Sequence, residues 1–428
     1  MTCEICVMNR RALVLAADSA VTVSRVEQGK RTERYFKGSN KIFEVSGYQP
    51  IGAMIFDSAD LQRVPWETIV KAFRSNIRRQ RLGKVEDYAV AFFKFIEEHR
   101  ELFPDEYRKE LLIGNIDQAM IQALRTASED GKVTAHVGDA AAIDAARNEI
   151  LSEYLVVAKG RDATIIPQDQ IDKIIEDNRT QLLSEATIDL KHFGSDSSFS
   201  PESLITIGAN TFLKAPSALL AATGIVFAGF SDDEFFPSYV EFYCYGFVGD
   251  KLLFSKQSDY KISAGDSGYW NAFATTDMVN TFTMGFGPDV FTNVRQQLRA
   301  TLKNFGASLQ KEFSFVCPNL DDRVEELIKD NTAKWTDAVF EKHSRPLRGV
   351  IGSLPVEEMA NLAETLVMLE SLKEKVTQSS ESVSGPIDVA VITKHEGLVW
   401  AKRKHFFSPE LNPRYFERQR SKFLRDEG

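Results

Sequence analysis

The second residue of the chain, Thr2, could become a nucleophile if the methionine before it were removed. A small residue after Met1 permits that removal, and the new terminus would carry a hydroxyl and a free α-amine. A hydroxyl is a weak nucleophile until a base lies beside it, and an α-amine with a pKa of about 8 can be that base. Thr2 is therefore a candidate N-terminal nucleophile.

Two charged residues follow Thr2 at informative spacings. Asp18 lies 16 positions later, at the end of the apolar run 12–17 (ALVLAA), and Lys41 opens the run 41–45 (KIFEV). A cation near a hydroxyl or amine favours the deprotonated form of that group, and a carboxylate can hold the cation in place. Alone, Asp18 is typical of a turn and Lys41 of an exposed surface, but their joint spacing indicates a catalytic set.

The pattern continues along the chain. After the turn 16–19 (AADS) come the strand end 52–54 (GAM) and, much later, the segments 354–358 (LPVEE), 381–386 (ESVSGP) and 387–392 (IDVAVI). A middle block adds the strand pair within 224–247 and the turn 285–287 (GFG). Together with Thr2, this order resembles the proteasome β-subunit family, in three separated blocks. The resemblance implies a four-layer αββα sandwich of the N-terminal nucleophile (Ntn) hydrolases.

The resemblance also implies roles for individual residues. Thr2 would attack a carbonyl carbon while its amine relays the proton, Lys41 would lie beside the hydroxyl, and Asp18 would pair with Lys41. Ser384 and Glu381 would take the places of the polar residues around the terminal amine.

The same resemblance implies an oxyanion and substrate region. The backbone N–H of Phe56 would be the oxyanion donor, and Thr22 and Met54 would line the substrate pocket. The chain departs from the family at three positions, where it has Phe56 for Gly, Glu381 for Asp and Phe286 for Ser. A phenyl ring at position 56 would crowd the neighbouring pocket.

Rival chemistries have weaker signals. The six histidines are scattered and the sequence contains no G-x-S-x-G serine, no phosphate-binding P-loop and no G-x-G-x-x-G. Cys3 and Cys6 form a C-x-x-C, but Cys244 and Cys317 stand alone, so no second pair completes a zinc site. We expect ordinary strand cysteines, no metal and no cofactor.

Composition limits the class of partner. The chain has 52 basic and 61 acidic residues, a net charge of −9. The basic runs 74–84 and 414–425 are interleaved with apolar residues at helical spacing, which is typical of solvated helix faces. We therefore expect no nucleic-acid partner. The sequence contains neither a run of about 20 apolar residues nor a secretory signal, which favours a cytoplasmic protein with no membrane partner.

Periodicity predicts an α+β protein. Alternating or continuous apolar runs predict strands at 5–8, 12–17, 41–45, 51–56, 224–230, 240–247, 251–255, 280–284, 387–393 and 398–401. Three-to-four spacing predicts helices after residue 60, through most of 103–200, across 290–345 and over 357–376. From this order we predict a core made of 2–60, 206–289 and 350–405, helical inserts at 61–205 and 290–349, and a tail at 406–428.

The functional expectation is a threonine-type hydrolase that cleaves peptide (amide) bonds through an acyl ester on Thr2. Two alternatives remain within the same fold: a catalytically silent scaffold or partner-binding subunit, and an amidase acting on a small molecule. The resemblance further implies a homo-oligomer. Its contacts would come from the inserts, notably the aromatic-rich segment 88–103, unless that segment forms an internal core.

Overall fold

The computed structural model describes residues 2–27, 30–136, 138–163, 166–194, 199–314, 316, 318–377 and 383–426. Side chains are described throughout these ranges except at 22–35, 419 and 422–426.

The chain alternates between groups of strands and groups of helices. The strands are β1 (Cys3–Asn9), β2 (Ala12–Ala17), β3 (Ala20–Glu27), β4 (Lys30–Lys37), β5 (Ile42–Glu44), β6 (Ile51–Phe56), β7 (Asp60–Leu61), β8 (Val64–Pro65), β9 (Thr223–Gly229), β10 (Ser238–Val248), β11 (Lys251–Lys261), β12 (Gly268–Ala274), β13 (Asp388–Thr393) and β14 (Gly397–Lys402). The α-helices are α1 (Trp66–Ile77), α2 (Val85–Glu98), α3 (Asp105–Glu129), α4 (Gly131–Thr134), α5 (Ala140–Gly160), α6 (Gln168–Asp177), α7 (Arg179–His192), α8 (Pro201–Lys214), α9 (Asp277–Met284), α10 (Pro288–Glu312), α11 (Leu320–Val339), α12 (Arg345–Ser353), α13 (Val356–Thr377) and α14 (Pro413–Asp426).

Two five-stranded antiparallel sheets form the centre of the protein. The first has the order β12-β1-β2-β13-β14, and the second has the order β11-β10-β9-β6-β5. In the first sheet β1 lies between β12 and β2, with Glu4 opposite Phe273 on one side and Ala17 on the other. The start of the chain is therefore held inside a sheet.

The inner faces of the two sheets share one hydrophobic cluster. Cys6, Met8 and Leu15 from the first sheet pack with Met54 and Val226 from the second. Alternate residues of β1 and β2 point to the opposite face, where they contact α13. Because both faces of these strands are buried, their sequences are continuous apolar runs rather than alternating ones.

Helices cover the outer face of each sheet. On the second sheet, Phe92 of α2 packs against Phe227, with ring centroids 5.2 Å apart, and Phe93 packs against Phe242 at 5.0 Å. On the first sheet, Met359 and other apolar side chains of α13 pack against β1, β2 and β13. The predicted insert 61–205 therefore begins with two helices, α1 and α2, that cover a central sheet.

The remaining helices lie in two groups. Helices α3 and α5 to α8 share a second hydrophobic cluster, which also includes Val248 of β10 and Leu253 of β11. Helix α8 spans Pro201–Lys214 and so crosses the predicted boundary at residue 205. Helices α10 and α11 contact each other, but few of their side chains are buried. Among the described residues, α10 has no buried side chain, and α11 has two, Val324 and Ile328.

One predicted strand is wrong. Residues 280–284 belong to helix α9, whose buried side chains Val279 and Thr283 are four positions apart on one helical face. Gly285 ends the helix in the left-handed region, with φ 82°, and its N–H donates to the carbonyl of Thr281. The β-branched residues in this segment suggested a strand, but the helical spacing and the glycine cap determine the structure.

Five strands in the described ranges were not predicted. β12 supplies the edge of the first sheet, β3 pairs with β4 in a hairpin before Lys41, and the two-residue strands β7 and β8 pair with each other. The predicted strands at 12–17 and 51–56 and the helix at 357–376 are confirmed to within one residue. Across the described ranges, no helix has both the length and the apolar character required to span a bilayer.

Candidate active site

Thr2 lies directly before β1, at the end of the first sheet. Its carbonyl accepts a hydrogen bond from the N–H of Thr275 at 2.9 Å, which continues the β1–β12 pairing by one step. Its side chain is on the same face of the strand as Glu4, because successive residues of a strand alternate. Thr2 is 6 % exposed. The hydroxyl is thus held by backbone pairing at the edge of the space between the sheets.

Asp18 connects three separate segments. Its Oδ1 accepts the N–H of Cys3 at 3.1 Å, and its Oδ2 accepts the N–H groups of Ala20 at 3.0 Å and Ser384 at 3.1 Å. The side chain is 1 % exposed. Backbone donors of this kind stabilise a buried carboxylate. Asp18 therefore fixes the turn after β2 against the start of β1 and the segment before β13.

Lys41 supplies a cation to this cluster. Its Nζ lies 2.5 Å from Oδ1 of Asp18 and 3.1 Å from Oε1 of Glu4, and its side chain is 4 % exposed. Burial alone would lower the pKa of Lys41, but the two carboxyl groups beside it outweigh burial and raise its pKa above the ordinary value. Lys41 is therefore a fixed positive charge.

Glu4 is a site residue that the sequence analysis missed. Its Oε2 accepts a hydrogen bond from Thr2 Oγ1 at 3.1 Å, and the residue has no exposed surface. Burial raises the pKa of Glu4 to about 8; Lys41 opposes the rise and Asp18 adds to it. The alternation of β1 was the available signal, since a charged side chain two residues after Thr2 must share its face.

A backbone N–H approaches the Thr2 hydroxyl from the second sheet. The donor is Asp57, at 3.4 Å from Thr2 Oγ1, directly after β6. The N–H of Ile55 donates to the carbonyl of Lys41 at 2.9 Å, and N–H groups alternate sides along a strand, so that of Phe56 points toward β9 instead. Asp57 has φ 66°, a left-handed conformation that Asp adopts more readily than most residues.

Phe56 fills the space beside this donor. Its ring stacks on Phe273 with centroids 5.5 Å apart and meets Tyr243 edge-on at 5.8 Å. It also lies flat against Gly224, where a Cβ would come within 2.0 Å of the ring. Phe56 is 2 % exposed. The ring is thus part of the inter-sheet core.

The remaining predicted site residues are distributed as follows. Ser384 is buried, donates its N–H to Asp18 and accepts the N–H of Ser19 through its carbonyl at 3.3 Å. Met54 is fully buried in the inter-sheet cluster. Glu381 lies outside the described residues, and so does the side chain of Thr22, whose backbone pairs with Tyr35.

Phe286 belongs to a different part of the molecule. Its ring packs against Phe291, with centroids 5.5 Å apart, and against Trp335 at 5.1 Å. These partners belong to α10 and α11. Phe286 therefore helps to anchor the α10–α11 pair to the end of α9.

The C-x-x-C does not form a metal site. Cys3 packs in the cluster under α13, whereas Cys6 packs between the sheets, because a separation of three places them on opposite faces of β1. Burial raises the pKa of both thiols, which keeps them protonated. Within the described residues no group of His, Cys, Asp and Glu has the arrangement of a metal site.

The site thus combines a hydroxyl, a fixed cation, two buried carboxyl groups and a backbone N–H aimed at the hydroxyl. Such a set can activate an oxygen nucleophile and stabilise negative charge that develops beside it. Comparison of the chain with protein-family models, curated proteins and solved structures found no match.

Proposed function

We propose that this protein is an Ntn hydrolase that cleaves a peptide (amide) bond through an acyl ester on Thr2, after removal of Met1. The observation that carries the proposal is the position of Thr2 Oγ1, between the buried Glu4–Lys41–Asp18 cluster and the N–H of Asp57. A structural threonine at a strand end has no need of a buried cation and two carboxyl groups beside it.

The packing of the chain supports the fold part of the proposal. Two antiparallel sheets share an inner cluster, and helices pack on the outer face of each. This arrangement fits a four-layer αββα sandwich with the nucleophile at the start of a central strand. The helices outside it, α3 to α8 and α10 to α11, are the inserts.

The reaction starts with attack of Thr2 Oγ1 on the carbonyl carbon of the substrate. The α-amine released by loss of Met1 is the proton acceptor that the family resemblance implies. As the carbonyl oxygen becomes negative, the N–H of Asp57 is within reach to donate to it, and Lys41 favours the added negative charge through its field. Collapse expels the amine and leaves the acyl ester.

The second half-reaction releases the acid. Water attacks the ester carbon, the bond to Thr2 Oγ1 breaks, and the hydroxyl recovers a proton. Asp18 takes no part in bond changes: with its backbone donors from three segments, it holds Lys41 in position.

A catalytically silent scaffold is the second candidate, and Phe56 favours it. Its large ring directly precedes the Asp57 N–H in the chain and packs against Phe273 and Tyr243, which would limit the room for an acyl side chain beside Thr2. The same crowding would also fit an amidase with a small substrate, because a short acyl group needs little space there.

Intact-mass spectrometry with two electrophiles distinguishes these candidates. A peptide epoxyketone forms its stable adduct with both the hydroxyl and the α-amine of an N-terminal threonine, whereas phenylmethanesulfonyl fluoride needs only the hydroxyl. We expect one adduct of each on the purified chain, located at Thr2, and none on Thr2→Ala. A chain that begins at Thr2 and takes neither label would support the scaffold and overturn the hydrolase.

A further inference from the structure

We propose that Glu4 is the general base of this site and takes the proton of the Thr2 hydroxyl. The inference rests on the proposed function and deepens it, because it assigns the proton to a side chain rather than to the α-amine. Glu4 touches the reacting oxygen, so its role is catalytic and not only one of positioning.

The geometry places an acceptor where the proton must leave. Oε2 of Glu4 lies 3.1 Å from Thr2 Oγ1, within the range for a general base and its substrate proton. The other oxygen, Oε1, lies 3.1 Å from Lys41 Nζ, which fixes the orientation of the carboxyl group. Thr2 and Glu4 are held on one face of the same backbone, so their separation does not depend on a flexible loop.

The surroundings of Glu4 are closed to solvent. Lys41, just before β5, and Asp18, just after β2, are the charged groups that act on its carboxyl. Its cross-strand neighbours, Phe273 on β12 and Ala17 on β2, carry no charge. Asp57 follows β6, whose side chains pack on this inner face, and its N–H also reaches Thr2.

This environment makes Glu4 a far stronger base than an exposed carboxylate. Burial raises its pKa to about 8, where an ordinary glutamate would be near 4.3. Proton transfer is most efficient when the pKa of the base lies near the working pH. Asp18 is paired with Lys41 and already accepts three backbone N–H groups, so it is the less suitable proton acceptor.

Proton transfer to or from Glu4 accompanies each bond change at Thr2 Oγ1. The Oγ1–H bond breaks and its proton moves to Oε2, while Oγ1 forms a bond to the carbonyl carbon and the π pair moves to the carbonyl oxygen. The carbonyl reforms, the C–N bond breaks, and the protonated Glu4 gives its proton to the leaving nitrogen. In deacylation Glu4 takes a proton from water and returns it to Thr2 Oγ1.

Labelling of Thr2 by phenylmethanesulfonyl fluoride tests the proposal, because that reaction also requires removal of the hydroxyl proton. The rate is followed by intact mass from pH 6 to pH 9.5 on the full chain, on Glu4→Gln and on Glu4→Asp. Glu4→Gln keeps the shape and an acceptor oxygen for Thr2 but cannot take a proton. Glu234→Gln is the matched control, since Glu234 is buried and hydrogen-bonded to Ser231 and Ser238, outside the site.

We expect the wild-type rate to rise with pH through an apparent pKa near 8. Glu4→Gln should lower the rate by about 10² or more and lose that rise, while Glu234→Gln changes neither. Glu4→Asp, with a shorter reach, should be slower by about 10-fold but keep the rise with pH. If a thermal melt shows that Glu4→Gln is unfolded, the labelling rate and pH profile of Glu4→Asp test the proposal instead.

Two results would overturn the inference, and they can be told apart. If the wild-type chain is labelled at Thr2 and Glu4→Gln is labelled at the same rate with the same pH profile, the α-amine is the base and the proposed hydrolase stands. If the wild-type chain takes no label at Thr2, the proposed function and the role of Glu4 fail together.

Discussion

The ammonium of Lys41 lies 2.5 Å from Oδ1 of Asp18, at a place where both side chains are closed off from solvent. Asp18 and Lys41 are separated in the sequence, and their ion pair joins the turn after β2 to the start of β5. A buried ion pair contributes little net stability by its presence, but removing one partner leaves an uncompensated charge. The site therefore depends on the pair remaining intact.

Lys41→Ala should reduce both activity and stability. Without the ammonium, two buried carboxyl groups face each other, and we expect a loss of about 3–5 kcal/mol in the free energy of unfolding, measured with urea. Any hydrolysis should fall by about 10² or more. Lys71→Ala is the matched control, because Lys71 pairs with Glu67 on the exposed side of α1. Its expected cost is below about 1 kcal/mol, and an equal loss in both variants would contradict the prediction.

The mature protein should begin at Thr2. The hydroxyl lies at the centre of the proposed site, and only removal of Met1 gives that residue a free amine. Edman sequencing or top-down mass spectrometry of the purified, reactive chain checks this. Met1 found on the form that reacts with the epoxyketone would be incompatible with the N-terminal mechanism.

Cys3→Ser and Cys6→Ser should leave the reactivity of the site nearly unchanged. Cys3 faces α13 and Cys6 faces the inter-sheet core, and burial raises the pKa of both thiols, so neither is a competent nucleophile. Labelling rates at Thr2 should remain within a few-fold of wild type. A Cys3→Ser chain that loses activity, combined with an active Thr2→Ala chain, would show that the nucleophile is misassigned.

Glu4 should make stability depend on pH. Its folded-state pKa of about 8 is above the ordinary value near 4.3, so the folded state holds the proton longer than the unfolded state. The stability that this provides is complete below the ordinary pKa and is lost as pH rises through about 8. Between pH 5 and pH 7.5, wild type should lose about 1.4 kcal/mol per pH unit relative to Glu4→Gln, measured with urea. A difference that does not change with pH would show that the Glu4 pKa is not raised.

Gly224→Ala should destabilise the inter-sheet core. A Cβ at this position would lie 2.0 Å from the Phe56 ring, so the expected cost is about 1–3 kcal/mol. In a Phe56→Ala background the same change should cost much less, and a double-mutant cycle in urea measures the coupling. Gly114→Ala, in the interior of α3 with no atom near the new Cβ, should instead stabilise by about 0.5–1 kcal/mol. Additive costs at 56 and 224 would refute the contact.

Much of the sheet scaffold could be predicted because its strands are buried on both faces. β2, β6 and most of β1 and β13 are short continuous apolar runs bounded by polar or turn residues, the pattern of a strand buried on both faces. β12 escaped prediction because most of its side chains are only half-buried and an asparagine interrupts the apolar residues. The segment 280–284 contains residues that favour strands, but its buried side chains have helical spacing, it packs against α13, and Gly285 caps it as a helix.

The site was partly accessible from sequence. The spacing in the sequence indicated Thr2, Asp18 and Lys41. In the structure Glu4 contacts both Thr2 and Lys41, and Lys41 contacts Asp18. Glu4 itself was not singled out, since nothing in the local sequence shows that its carboxyl group is buried. The donor at Asp57 depends on which side of β6 each N–H faces, and that is a property of strand pairing rather than of residue type.

The hydrogen bond from the backbone N–H of Ser384 to the carboxylate of Asp18 spans 366 residues and has a consequence for synthesis. β13 pairs with β2, so the first sheet lacks its fourth strand while the ribosome is still adding the helical segments between them. Contacts of such long sequence separation form late and slow the folding of the chain that contains them. The proposed nucleophile would consequently reach its final arrangement only after β13 has emerged from the ribosome, and a nascent chain would carry Thr2 without the surroundings proposed to activate it.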